Sequence, residues 1–280
     1  MMKRAFFIAV MLLNFQFCFS QEENNQWHRT SVGAQFSQEF VLDGYVQVRE
    51  WELVGDKIKL KDLGMTSYPS IQLYAKRHLK KKRALAFAYD HYFVHGRSTF
   101  DRDITYNGTI INGRKGIDVS PTIFFRASAI YTGPLVDQAH LKIRYKVALA
   151  LDYIKFYLEG EVTPSSPSHE VYEGFGRQAF PYPLIGLTGK IKVSEKSNMN
   201  FEVSGTYVPR FTSFYKEGGH VDLQYSNFLT AVDYSWLFGN FDVALGLRLR
   251  HMHLFQESKE DTNVITTFTT GPYIETRYQL

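Results

Sequence analysis

The sequence predicts an all-β protein, an antiparallel up-and-down transmembrane β-barrel of about ten strands. Three observations predict it. Long segments alternate apolar and polar residues with period two. The links between those segments are by turns short and long. The chain holds 18 Tyr and 23 Phe, yet its mean hydropathy is −0.25. Lipid-facing aromatics alternating with polar lumen residues reconcile the last two numbers, because successive side chains of a strand point to opposite faces.

The first element is an export leader. Lys3 and Arg4 precede an apolar run from Ala5 through Leu13 that continues to Phe19, and Cys18-Phe19-Ser20 leads into polar Gln21-Glu22-Glu23-Asn24-Asn25-Gln26. This pattern is that of a cleaved signal peptide over residues 1–20, leaving a domain over 21–280. A membrane anchor fits less well, since Asn14 and Gln16 interrupt a run already short for a span. Lipid attachment at Cys18 would need small residues where Phe15-Gln16-Phe17 stand. Cys18 is the only cysteine, so cleavage at Ser20 leaves no disulfide and no thiolate ligands for zinc or iron–sulfur clusters. No cofactor is expected. The formal net charge of +4 is too small to argue for nucleic acid.

Strands are predicted over 30–39, 69–78, 83–95, 116–131, 140–159, 183–193, 199–208, 221–236, 240–255 and 264–280. In the third, Leu85, Phe87, Tyr89, His91 and Phe93 oppose Ala84, Ala86, Ala88 and Asp90. In the fifth, Leu141, Ile143, Tyr145, Val147, Leu149, Leu151 and Tyr153 oppose Lys142, Arg144, Lys146, Ala148, Ala150 and Asp152. Met199, Phe201, Val203 and Tyr207 oppose Asn200, Glu202, Ser204 and Thr206. Phe228, Val232 and Trp236 oppose Leu229, Ala231, Asp233 and Ser235. Phe241, Val243, Leu245, Leu247 and Leu249 oppose Asp242, Ala244, Gly246, Arg248 and Arg250. In the last strand Phe268, Ile274, Tyr278 and Leu280 oppose Tyr273, Glu275 and Arg277.

A soluble sheet with one wet face would alternate in the same way. Run length argues for the membrane, because several runs exceed about ten residues, whereas soluble strands centre on about five or six. So does the recurrence of aromatics near run ends, where interfacial girdles sit. The even-numbered links are short, as from His78 to Lys82 and from Leu237 to Asn240. The odd-numbered ones are mostly long, about 41–68, 96–115, 160–182, 209–220 and 256–263. Short periplasmic turns and long external loops have this asymmetry, and an even strand count leaves both termini in the periplasm. Eight or twelve strands also fit, since 44–50 and 103–112 are able to form extensions or strands.

The segment order resembles a loosely defined group of small bacterial outer-membrane β-barrel proteins. The resemblance covers most of the mature chain. It is carried by Lys61-Asp62-Leu63-Gly64-Met65, by Tyr106-Asn107-Gly108-Thr109-Ile110-Ile111-Asn112-Gly113, and by the Gly271-Pro272-Tyr273 strand. It implies the fold and the export route to the bacterial outer membrane, and no reaction. Separately, the long external loops are expected to meet outer-membrane lipids and lipopolysaccharide, and the terminal strand, ending in Tyr278 and Leu280, looks like the signal engaged by the barrel assembly machinery.

Two enzyme comparisons can be drawn. Arg250-His251-Met252-His253-Leu254-Phe255-Gln256-Glu257-Ser258 is faintly similar to the lipid A deacylase barrels, which carry His and Ser two residues apart on one strand. Here His253 stands where the serine should be, and Ser258 lies in the following loop. Omptin-type barrel proteases use acidic residues and a His at the rim, and Asp90, His91, His95, Asp101 and Asp103 lie near one predicted rim. His91 shares parity with Phe87 and Phe93, so it is expected to face outward rather than to act as a ligand or base.

The lumen is the more informative feature. Arg126, Lys142, Arg144, Lys146, Asp152, Glu202, Asp233, Arg248, Arg250, Glu275 and Arg277 all take inward parity. Charges enclosed in a barrel must pair or meet water. In ten strands they either seal the interior as a salt-bridged plug or line a narrow, mildly anion-favouring channel. Three functions follow: a structural or surface-interaction barrel working through long external loops, a channel for small solutes, and a rim-site lipid hydrolase.

Overall fold

The computed structural model describes residues 30–50, 53–79, 82–119, 123–167, 178–212, 221–259 and 261–280. The expected leader over 1–20 lies outside the described residues.

Ten long antiparallel strands build the wall. They are β1 (Thr30–Glu50), β3 (Ser67–Leu79), β4 (Arg83–Tyr92), β9 (Ile123–Asp137), β10 (Leu141–Lys155), β12 (Gln178–Lys192), β13 (Ser197–Thr212), β14 (Asp222–Phe238), β15 (Phe241–Glu257) and β16 (Asp261–Gln279). Each pairs with the next, and β16 returns to β1 from Ser31↔Gln279 to Glu50↔Asp261, so the sheet closes without an edge. At this seam Gly271 is required by space. A Cβ there would stand 1.8 Å from the carbonyl oxygen of Gln38 on β1.

The outward faces are apolar. Leu149 on β10, Ile185 on β12 and Leu247 on β15 are 62%, 68% and 58% exposed, and Phe36, Phe87, Val203, Phe228 and Ile274 continue the belt around the barrel. Water would not tolerate an apolar surface that runs right round the molecule, whereas lipid favours it. The molecule is therefore a transmembrane barrel of the outer-membrane kind, with the expected number of strands.

Six short strands lie beyond the wall at the end opposite the termini. They are β2 (Ile58–Lys59), β5 (Gly96–Ser98), β6 (Ile104–Tyr106), β7 (Thr109–Ile111), β8 (Ile117–Val119) and β11 (Leu158–Gly160). β2 pairs with the extension of β1, β5 and β11 flank β8, and β6 and β7 form a hairpin. The hairpin turn is Asn107-Gly108, with φ of +48° and +71°. Positive φ at both central residues matches the right-handed strand twist, and Asn-Gly is the pair that adopts it most readily.

These strands overturn part of the expected loop pattern. The link expected over 41–68 begins as barrel strand, because β1 runs on to Glu50 and pairs with β16 as far as Asp261. A bulge between Val41 and Asp43 lets this extension bend. The strand expected over 116–131 is two elements, β8 and β9, and that over 140–159 is β10 and β11. The loops between them turn inward. Leu60, Leu63, Ile104, Tyr106, Ile111, Ile117 and Leu158 are wholly buried, and they pack as one cluster with inward residues of the barrel such as Tyr92, Phe124, Ile154, Met252 and Ile265. A dry cap thus fills the loop-end half of the interior.

The lumen vestibule as candidate functional site

The other half of the interior, towards the termini and short turns, is a polar cavity of about 540 Å³. Ten of the eleven charged residues expected to face inward line it, and the eleventh, Asp152, is buried behind Arg126. The strands place them by simple alternation. On β15 Arg248, Arg250 and Met252 point in, while Leu247, Leu249 and His251 point out.

Three arginines form the inner end of the vestibule, where it meets the apolar cap. Arg126 on β9 makes a two-pronged pair with Asp152 on β10, Nε to Oδ1 at 2.7 Å and Nη2 to Oδ2 at 2.9 Å. The Tyr225 hydroxyl donates to the same carboxylate at 2.5 Å, and its ring packs on Tyr182. Arg248 donates to Glu39 and Ser37 on β1, to Ser70 on β3 at 2.6 Å, and to Gln35 at 3.3 Å. The third is different. Arg250 is 4% exposed and lies over the Tyr92 ring at 4.8 Å, and its Nε and Nη1 meet no acceptor.

Closer to the turns the wall is a set of local networks. Lys146 donates to Glu202 at 2.6 Å, with Ser204 on the same carboxylate. Asn200 and Tyr273 donate to Asp233 at 2.6 and 2.8 Å. Arg277 donates to Glu275 at 2.5 Å and to the Tyr74 hydroxyl at 2.8 Å, and Tyr74 donates to Glu275 in turn. Arg277 also meets Asp242 at 3.4 Å. The Arg144 guanidinium is turned to the backbone carbonyl of Lys82. Among the described residues, Lys76, Lys142, Lys190 and Arg250 line the vestibule with no carboxylate in ion-pair contact. Both readings of these charges, salt-bridged plug and channel lining, bear on this arrangement. The ion pairs leave space between them, and apolar side chains from the loops fill the other half.

Glu39, Lys76, Lys190, Tyr182 and Tyr225 belong to this site and were not singled out by sequence. Their signal was the same inward parity on β1, β3, β12 and β14.

The rim residues do not come together. Asp90 faces the lumen rather than the rim and accepts from Gln72 at 2.8 Å. His91 faces outward as expected, with its ring against Tyr89 and Phe93. His95, Asp101 and Asp103 are exposed. His251 and His253 point out of the wall, His253 against Thr266 at 2.8 Å, while Ser258 sits in the turn to Asp261, bonded to its backbone. The sequence likeness to lipid A deacylases thus finds no nucleophile–base pair in this hairpin. Among the described residues no group of side chains is arranged to hold a metal ion.

No family model and no curated protein matches the chain. Among solved structures the barrel is similar to the outer membrane protease OmpT from Escherichia coli, at 9% identity over 93% of this chain and 99% of that one, with a TM-score of 0.49. It is similar to Neisserial surface protein A at 9% identity over 90% and 97%, TM-score 0.33. It is similar to the translocator domain of the autotransporter NalP from Neisseria meningitidis at 12% identity over 99% and 96%, TM-score 0.34. Likenesses this distant transfer no activity. The fold rests on the closed pairing and the apolar belt.

Proposed function

We propose that this chain is an integral outer-membrane protein of a bacterium that acts at the cell surface through its folded cap, and that it is not an open pore. With export by a leader over 1–20, the even strand count and the short turns beside the termini would set both termini in the periplasm and the cap outside. The observation that carries the reading is the dry core of the cap, built on Leu60, Leu63, Ile104, Tyr106, Ile111, Ile117 and Leu158. Loops that fold around their own apolar core present a fixed surface, which is what recognition of a partner requires.

Exposed Lys59, Lys61 and Arg114 on that surface suit the phosphates of lipopolysaccharide as a partner. The assembly machinery would engage β16. The channel reading draws on the basic vestibule. Against it stands the loop-end half, where the cavity beside Met65, Tyr68, Phe124 and Met252 is only about 20 Å³, room for about one water.

Planar-bilayer recording of the purified, folded barrel tests the choice. The expected record is flat. Unitary current steps that disappear when Arg248 and Arg250 are neutralised would establish a channel instead.

A further inference from the structure

Arg250 poses a problem of charge. A guanidinium buried without a carboxylate of its own to bond is costly, and a chain under no other constraint replaces it with an apolar or neutral residue. Its two neighbours at the same level show the ordinary solution, since Arg126 has Asp152 and Arg248 has Glu39. Arg250 has the Tyr92 ring, and the one carboxylate whose charge reaches it, Glu39, is already bonded to Arg248, so two of the Arg250 nitrogens lack an acceptor. It lines the inner end of a cavity whose wall also carries Lys76, Lys142 and Lys190, none of them paired with a carboxylate among the described residues. The cavity's 540 Å³ lies in the range that encloses a small molecule. Arg and Lys converging in a recess form the usual environment for a phosphate group.

We propose that the vestibule is a binding site for a phosphate-bearing ligand, with the phosphate drawn to Arg250 at the inner end and Lys76 and Lys190 along the wall. The ligand enters from the side of the termini, because the cap fills the other half. The source is either a free phosphate compound or the headgroup of a phospholipid at that surface. This site is separate from the cap surface and does not depend on what the cap recognises.

The test is calorimetric titration of the folded barrel in neutral detergent, at constant ionic strength set with sodium chloride. One arm adds inorganic pyrophosphate and the other adds short-chain phosphatidylglycerol. Saturable binding of pyrophosphate supports a free phosphate ligand, and saturation by the lipid alone supports a headgroup. Arg250→Gln is expected to raise the dissociation constant at least tenfold while leaving the barrel as stable as before, or more so. A purely structural arginine would do the reverse. Lys190→Gln, at the wall, serves as the second variant, with a several-fold loss. Absence of saturable binding in both arms overturns the proposal. So does binding that Arg250→Gln and Lys190→Gln leave unchanged.

Discussion

Arg248 on β15 reaches past β16 to Glu39 on β1, so that one buried ion pair joins residues 209 positions apart on either side of the strand that closes the barrel. The pair is 4% and 1% exposed at its side chains, and Ser37 and Ser70 take up further guanidinium donors. Removing one partner of such a pair is worse than removing both. Glu39→Ala should lower stability by about 3–5 kcal/mol, because it strands the buried guanidinium. Combining Glu39→Leu with Arg248→Met should recover most of that loss. Equilibrium unfolding in urea, followed by the heat-modifiable shift on gels, reads both. A double variant no better than Glu39→Ala would show that the pair adds net stability of its own.

The apolar belt makes a second prediction. Leu247 is exposed midway along β15, where its side chain meets hydrocarbon. Leu247→Arg should cost about 2–4 kcal/mol in bilayer vesicles, the usual cost of a cation at mid-depth on a barrel's lipid face. Val54, 63% exposed on the cap, is the control. Val54→Arg should change stability by no more than about 0.5 kcal/mol, as surface substitutions in water generally do. Equal effects at the two positions would place Leu247 in water.

The sequence made the belt legible because lipid imposes a strict period of two. Phe87, Leu149, Val203 and Leu247 stand at alternate positions in runs long enough to show it, and the lumen arginines follow from the same parity. The cap was not legible. Its core residues, Leu63, Ile104, Ile111, Ile117 and Leu158, sit in strands of three residues or in turns, where no period can develop. Their partners come from separate loops. Length alone reads such segments as open loops, and only tertiary packing shows that they fold inward. Arg250 marks the same limit within the barrel. Parity put it inside beside Arg248, yet nothing in the chain tells which of the two bonds Glu39.

The cap is expected to unfold before the wall. Leu63 is wholly buried within it, and Leu63→Ala removes buried methyl groups at a cost of about 2–5 kcal/mol. That loss should fall on the cap alone, since the ten wall strands keep every ladder hydrogen bond. Limited proteolysis of the variant should cut between residues 53 and 66 or between 96 and 119 while the barrel still migrates as folded. A barrel that loses its folded migration together with the cap would mean the two form one cooperative unit.

Tyr225 and Asp152 test how the inner end of the vestibule is held. The tyrosine hydroxyl donates to Asp152, the carboxylate that also neutralises Arg126. Tyr225→Phe removes one hydrogen bond to a charged acceptor and should cost about 1.5–3 kcal/mol. Asp152→Asn removes the charge that Arg126 depends on and should cost more, about 3–5 kcal/mol. Because both act on one network, the double variant should lose less than the sum of the two. Urea unfolding of all three measures this coupling. Strict additivity would mean that Tyr225 stabilises the barrel by packing on Tyr182 and not through Asp152, and Tyr225→Phe would then be nearly silent.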